Sequence, residues 1–300
     1  MDASILIPTL DRWEELCRSI DSCLEQHGNI EVIVICDGSP PEIPRKLRET
    51  YPEIVVLEYR ETGGCGLRRT DGGRVAQGQF LFSIDDDAVF TSPTTVQDII
   101  AQFSEPWIGA VAIPYTNVNQ DGATYQQALD NQNLYLSERY RGTAFALRRE
   151  VFDALDGFCP HISHQGEEGD FCIRMLEKGY YVRLGACEPI HHYESIRRDF
   201  TFMDRNGRRN DVLFVWKNVP LPYMLWHLPA TILKGLLFVL RVGRLRNMLA
   251  GYKEAWNWIR QGRVARRPVA SETYRTSRYL KQHDCVTKEQ LASILSKESE

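Results

Sequence analysis

Three aspartates in a row, Asp85, Asp86 and Asp87, follow the apolar run Phe80-Leu81-Phe82-Ser83-Ile84. Adjacent carboxylates at one strand end repel each other, so something positive should offset them. A hard divalent cation is the simplest candidate, because magnesium and manganese bind through one or two carboxylates plus substrate phosphates. A solvated acidic turn is the plain alternative, and the hydrophobic strand in front argues against it. A second acidic group, Gly166-Glu167-Glu168-Gly169-Asp170, opens a segment carrying Phe171, Ile173 and Met175. Acids suit a helix N-terminus through the helix dipole. Beside a metal-binding triplet they are also candidate general bases. His191 and His192 can complete a site begun by carboxylates, since neutral imidazole ligates divalent metals. His161 and His164 form an HxxH without the HExxH helix of a metalloprotease, and read as structural or substrate-facing. Thr62 to Gly66 is glycine-rich and precedes Arg68 and Arg69, so its backbone can approach a phosphate. It is neither a P-loop nor a GxGxxG.

These residues need elements to hold them. Ser4 to Pro8, Glu31 to Cys36, Ile54 to Leu57 and Phe80 to Ile84 read as buried strands. Between them, helical spacing joins Trp13, Leu16, Cys17, Ile20 and Leu24, with Asp11 as N-cap and Glu14 three residues on. Further helices run through Ile43 and Leu47 and over Arg68 to Gln77. Strands alternating with helices predict an α/β fold with a mostly parallel sheet covered on both faces. Such sheets bind ligands beyond the carboxyl ends of their strands. The residues at that edge are Pro8, Thr9 and Asp11, then Asp37 and Gly38, then Asp85 to Asp87. Asp11 as an N-cap and Asp37 as a turn residue need no ligand, and those plain readings stand beside the functional one. Later, Gly142 to Arg149 reads as a strand leading into a helix at Val151-Phe152, Phe171 to Glu177 as a helix, and Tyr181 to Leu184 as a strand.

The chain has 300 residues, 43% hydrophobic and 25% charged, which excludes disorder, collagen and coiled coil. A net charge of -4 argues against bulk nucleic-acid binding. Eight cysteines without a CxxC pair predict reduced thiols and a cytoplasmic protein, and no signal peptide is expected. The apolar region Val212 to Val242 is interrupted by Lys217, Pro220, Pro222, Pro229 and Lys234. A membrane-crossing helix is therefore not expected there, whereas an interfacial one is compatible. Between Arg241 and Arg267 stand eight cations against Glu254 alone, with Trp256 and Trp258 among them. That mixture suits an anionic membrane surface. A helical hairpin packed on the rest of the chain with a solvated basic face is the alternative.

In this order the pieces resemble the family 2 glycosyltransferases of GT-A fold, over roughly residues 2 to 220. Ser4 to Thr9 looks like the opening strand, Asp37-Gly38-Ser39 like the nucleotide-contacting DGS, and Asp85-Asp86-Asp87 like the DxD motif. Arg69-Thr70-Asp71-Gly72 resembles the ARNxG segment, with Thr70 where asparagine is usual. Gly142 to Arg149 is similar to the segment lining the donor and acceptor sites. Gly166 to Asp170 resembles G-E-D-x-D, with Glu168 where aspartate is usual, which leaves Glu167 and Glu168 both open as base. Arg209-Asn210 and Trp216-Lys217-Asn218 resemble a downstream signature.

The resemblance implies a GT-A catalytic domain over residues 1–220, with a nucleotide-sugar half (1–100) and an acceptor half (101–220), then a helical, basic and aromatic extension over 221–300. It implies inverting transfer of a hexosyl or deoxyhexosyl group from a nucleotide diphosphate sugar, UDP- or dTDP-linked, to a saccharide or lipid-linked acceptor. The setting would be bacterial cell-surface polysaccharide or glycolipid synthesis, peripheral on the cytoplasmic membrane face. In it Glu167, Glu168 and Asp170 are the catalytic carboxylates. Asp85, Asp87, His191 and His192 would hold manganese or magnesium. Pro8, Thr9, Asp11, Asp37, Gly38, Gly64, Arg68, Arg69, Asp85 and Asp86 would bind the donor, with Asp37 on the base and Arg68 or Arg69 on a phosphate. Two other readings are a non-catalytic nucleotide-sugar-binding partner and a nucleotidyltransferase. The latter wants a glycine-rich, lysine-containing loop after the first strand, which Pro8 to Arg12 does not supply.

Overall fold

A computed structural model describes residues 1–162, 164–195, 199–283 and 285–297. Of the expected extension, residues 284 and 298–300 lie outside these. The first hundred residues alternate strictly. Strand β1 (Ala3–Thr9) leads to helix α1 (Trp13–Leu24), β2 (Ile30–Asp37) to α2 (Glu42–Thr50), and β3 (Val55–Tyr59) to α3 (Cys65–Val75), which returns into β4 (Phe80–Ile84). Then follow β5 (Ala88–Val89), α4 (Thr95–Ala101), β6 (Ile108–Ala112), β7 (Tyr115–Asn117), β8 (Thr124–Tyr125), β9 (Tyr135–Ser137) and β10 (Ala144–Arg148). The next elements are α5 (Arg149–Ala154), α6 (Glu167–Glu177), β11 (Tyr181–Leu184) and β12 (Ile190–His192). The chain closes with α7 (Phe200–Asn218), α8 (Leu221–Val242), α9 (Leu245–Arg260), α10 (Ser271–Gln282), β13 (Val286–Thr287) and α11 (Lys288–Lys297).

Among the described residues, nine strands form one sheet in the order β13-β9-β11-β6-β10-β4-β1-β2-β3. β1 pairs parallel with both β2 and β4, and β2 with β3. β10 enters antiparallel between β4 and β6, and β9 is antiparallel to β11. The sheet is thus mostly parallel, as the alternation implied, with reversed strands that apolar runs alone do not announce. β1, β2 and β4 are buried on both faces, which is why they read as continuous apolar runs. Alternate residues go to opposite cores: Ile5, Ile7, Val32 and Val34 face one, packed on Leu16 and Ile20 of α1, while Leu6, Ile33 and Ile35 face the other with Phe152 and Phe171. A second sheet, β5-β12-β7-β8, sits beside the end of β4.

Two expectations are corrected. Asp11 is not the N-cap of α1. Arg12 occupies that position, without a side-chain capping bond, and Asp11 is exposed in the loop. The prolines do not break the apolar region into fragments unfit to cross a membrane. Only Pro220 separates α7 from α8; Pro222 lies in the first turn of α8, where a missing N–H costs nothing. Pro229 is carried inside α8, which is long and apolar enough to span a membrane by length and composition. The expected extension also returns to the sheet: β13 pairs with the edge strand β9.

β1 is central, and Gly78 lies against it so closely that a Cβ would overlap the backbone of Ala3 and Ser4. The Gly78 N–H donates to Ser4 Oγ at 2.8 Å. Gly78→Ala is expected to destabilise the protein by roughly 1–3 kcal/mol, as overpacking does. Urea unfolding of the variant measures this, and an unchanged midpoint contradicts the close approach.

Candidate functional site

The carboxyl ends of β1, β2 and β4 open into a cleft of about 1280 Å3. That exceeds the roughly 300–1,000 Å3 of a typical small-molecule pocket. Pro8, Thr9, Asp11, Asp37, Gly64 and all of Asp85 to Asp87 line it, together with Glu167, Glu168 and His192. Residues more than a hundred positions apart therefore share one cavity.

The aspartate triplet divides its work. Asp86 is buried, accepts from Thr9 Oγ1 at 2.7 Å and pairs with Arg12. Burial, opposed by Arg12, pushes its carboxyl up to about 7. Asp87 pairs with Arg12 as well. Burial alone would raise it, but His192 and Arg12 outweigh that and hold it below the usual carboxylate range. Asp85 is raised, by burial first, against the pull of Arg69.

One oxygen or nitrogen each from Asp85, Asp87 and His192 lies within 4.8 Å of the other two. His192 Nδ1 is 2.6 Å from Asn117 Oδ1, and its other ring nitrogen, Nε2, faces the aspartates. That nitrogen is 3.3 Å from Asp87 Oδ1, a buried oxygen with no aligned hydrogen-bond donor among the described residues. With the imidazole neutral and its proton on Nδ1, this nitrogen and oxygen would fit adjacent corners of a divalent cation's shell. The carboxylate oxygens suit manganese or magnesium, and the imidazole is a common ligand of divalent metals. His191 does not take part: it is exposed on the opposite face of β12, because successive strand residues point to opposite sides.

The second wall is the start of α6, entered through Gly166 in the left-handed region (φ +91°). Glu167 is buried, and its Oε1 accepts from the Cys65 thiol at 2.9 Å and faces Arg69 Nη1 at 3.5 Å. Burial, then the neighbouring Glu168, pushes its carboxyl up to about 7. Glu168 is half-buried and lines the cleft, with its Oε1 close against Gly142. Of the two, Glu168 is the one presented to the cavity.

Arg69 joins the walls. It is 2% exposed, and its guanidinium donates to Ser83 Oγ, Asp85 Oδ1 and the Gly142 carbonyl at 2.9, 3.0 and 2.7 Å. Arg68 is spent likewise: it pairs with Asp37 at 2.6 Å and Asp71 at 2.9 Å and donates to the Glu61 carbonyl. Both arginines are buried and pair with carboxylates, and of the two, both expected as phosphate contacts, Arg69 lines the cleft. Asp37 accepts the Gly63 and Gly64 N–H groups at 2.7 and 2.8 Å, which fixes the glycine-rich loop. Gly38 turns beside Thr62 with φ +76° and does not line the cleft. Asp170 is corrected from catalytic to structural. It is fully buried and bound by Arg174, Lys217 and Asn218 at 2.9, 2.5 and 2.8 Å. Burial would raise its carboxyl, but Arg174 and Lys217 hold it low.

Sequence reasoning missed Arg12 and Cys65 and left His164 between a structural and a substrate-facing reading; all three line the cleft. Arg12 had a signal, since it follows directly on the ligand edge of β1. Cys65 had none, because its 3.5 Å approach to His164 joins residues 99 positions apart.

Residues 4–163 match the family described as Glycosyl transferase family 2. Over 262 residues the chain is 24% identical to the O-antigen chain rhamnosyltransferase WbaN of Salmonella anatum, covering 72% of this chain and 82% of that one. The mannosyltransferase PcManGT from Pyrobaculum calidifontis, solved in complex with GDP-Man and Mn2+, superposes with a TM-score of 0.57 at 17% identity, covering 99% of this chain and 88% of that one. S. aureus TarS 1-349 in complex with UDP-GlcNAc superposes with a TM-score of 0.58 at 15% identity, covering 77% and 72%. The fold is that of these GT-A glycosyltransferases.

Two outcomes follow from the site. With UDP as the diphosphate probe, Mn2+ paramagnetic resonance is expected to show tight binding that chelator removes. Asp87→Asn or His192→Gln should weaken it by more than the roughly 10–100-fold that loss of a supporting group costs; equal affinity in both variants removes the metal assignment. Glu167 has its folded pKa raised from 4.5 to about 7, so the native state binds the extra proton. Its contribution is present below about pH 4.5 and is lost as pH rises through 7. Glu167→Gln cannot ionise, so urea unfolding at pH 5 and pH 8 should show it gaining on the parent by roughly 2 kcal/mol at the higher pH. A constant difference would mean that Glu167 does not titrate in this range.

Proposed function

Because the chain belongs to glycosyl transferase family 2, we propose that it moves a hexosyl or deoxyhexosyl group from a nucleotide diphosphate sugar to an acceptor hydroxyl with inversion at the anomeric carbon. One observation carries this reading. The Asp85–Asp87–His192 group and the Glu168 carboxylate line one and the same cleft.

Glu168 accepts the proton of the acceptor hydroxyl as that oxygen bonds to the anomeric carbon. The bond from the anomeric carbon to the diphosphate oxygen breaks, and its electron pair stays on the diphosphate. A manganese or magnesium ion held by Asp85, Asp87 and His192 would supply neutralising charge to that leaving group. Glu167, its carboxyl pushed up to about 7, carries only part of a negative charge near neutral pH beside Glu168. Asp37 holds the Gly63–Gly64 backbone with both oxygens and lines the cleft, and a remaining lone pair would accept a pyrimidine N–H, which favours UDP- or dTDP-linked donors. Pro8, Thr9, Asp11 and Gly64 form the rest of the donor wall. No nucleophile is needed for a covalent intermediate.

The acceptor we assign is a saccharide, free or lipid-linked, of bacterial cell-surface polysaccharide or glycolipid synthesis. The enzyme would work in the cytoplasm, peripheral to the membrane. The relatedness to an O-antigen rhamnosyltransferase supports this assignment.

The test separates the two glutamates. With a panel of UDP-, dTDP- and GDP-sugars, Glu168→Gln is expected to lower kcat by roughly 10^2–10^4-fold while donor binding persists. Glu167→Gln should lose less, and NMR of the product should show the anomeric configuration opposite to the donor's. An unchanged kcat in Glu168→Gln removes the base assignment, and donor binding without transfer in the parent protein supports a non-catalytic binding partner instead.

A further inference from the structure

Helix α8 is amphipathic in the unusual direction, with its apolar face outward. Trp226 is 81% exposed and Leu240 82%, and Leu225, Leu233 and Leu237 on the same side are each more than half exposed. Helical spacing makes this one continuous stripe along 22 residues. An exposed apolar surface of this extent marks an interaction site.

What covers it is indicated by the neighbouring charge. On α9, Arg246, Lys253 and Arg260 recur every seven residues, so they share one exposed face. Leu249 and Trp256, also seven apart and exposed, form the adjoining apolar stripe. From Leu221 to Arg260 the only acidic residue in the sequence is Glu254. It is held by Arg205 at 2.7 Å and Arg209 at 3.2 Å, so it does not oppose the basic face. An apolar stripe bordered by unopposed cations matches the interface of an anionic phospholipid bilayer.

α8 does not lie free enough to cross that bilayer. Gly235 abuts Tyr252 of α9, the Tyr252 hydroxyl reaches the Ile232 carbonyl, and Leu228 and Ile232 pack into a core shared with α7 and α9. One side of the helix is therefore committed to protein, and only the other is available to lipid.

The turn between α8 and α9 also lies beside the cleft. Arg244 pairs with Asp204 of α7 at 2.6 Å and stacks 4.3 Å over the Phe200 ring. Two and three residues on, Phe202 and Met203 line the cleft itself. We infer that α8 and α9 dock in the plane of an anionic bilayer and set the cleft mouth at its surface, so that the acceptor is a saccharide carried by a membrane lipid. The acceptor part rests on the glycosyltransferase reading above; the docking surface does not.

The full chain is sedimented with vesicles of phosphatidylcholine alone or mixed with an equal part of phosphatidylglycerol. Binding to the anionic vesicles is expected. Arg246→Gln, Lys253→Gln and Arg260→Gln combined should weaken it roughly 100-fold, at about tenfold or less per cation. Trp226→Glu, Leu233→Glu and Leu237→Glu combined should abolish it, with an unchanged thermal midpoint showing that the fold is intact. Equal binding by both variants, resistance of the parent to alkaline carbonate extraction, or an α8-dependent dimer in lipid-free solution would each overturn the docking surface. Donor binding and transfer to a soluble saccharide are measured on the same samples. Transfer without vesicle binding overturns the surface alone; vesicle binding without donor binding upholds the surface and removes the enzymatic reading.

Discussion

A single buried guanidinium holds the site together. Arg69 faces Asp85 on the sheet side and Glu167 on the helix side; Asp85 is partly exposed, whereas Glu167 is buried and would be costly to ionise without a cation. Removing one partner of a buried ion pair is typically worse than never having had the pair. Arg69 thereby fixes the separation of the two acidic walls, and the distance at which a donor and an acceptor meet follows from it. Ser83 Oγ and the Gly142 carbonyl take its remaining donors, so the guanidinium has little freedom to reorient.

The rest of the chain serves that spacing. Lys217 and Asn218, at the end of α7, bind Asp170 in the first turn of α6. Asn210, two turns earlier, donates to the His164 and Gln165 carbonyls just ahead of that helix. A long helix distant in sequence is thus clamped to both sides of Gly166, the point where the chain must turn left-handed to bring Glu167 and Glu168 into the cleft. The residues Arg209 to Asn218, which read as a motif without a mechanism in the sequence, are this clamp.

The parallel half of the sheet was legible because β1, β2 and β4 are buried on both faces and therefore appear as unbroken apolar runs. The carboxyl ends of the same runs carry Asp37 and Asp85 to Asp87, which line the cleft. Partner choice was not legible. Nothing in the spacing of Arg68 and Arg69 tells that both guanidiniums turn inward to carboxylates, because the partners come from other strands. His191 and His192 were equal in sequence and differ only through the alternation of β12, whose register depends on β7. Asp170 looked like a third acid of a catalytic group, and only the arrival of Lys217 from 47 residues away makes it structural. The prolines of α8 misled because proline rules describe a helix's backbone, while its outward apolar face comes from where α7 and α9 pack.

Arg12 bridges Asp86 and Asp87 from the loop between β1 and α1. The acidic pocket therefore carries an internal counter-ion of its own, tethered to the chain. Arg12 takes Asp87 Oδ2 and leaves Oδ1, the oxygen facing His192 Nε2, uncovered, so a second cation arriving there would share one carboxylate with a guanidinium.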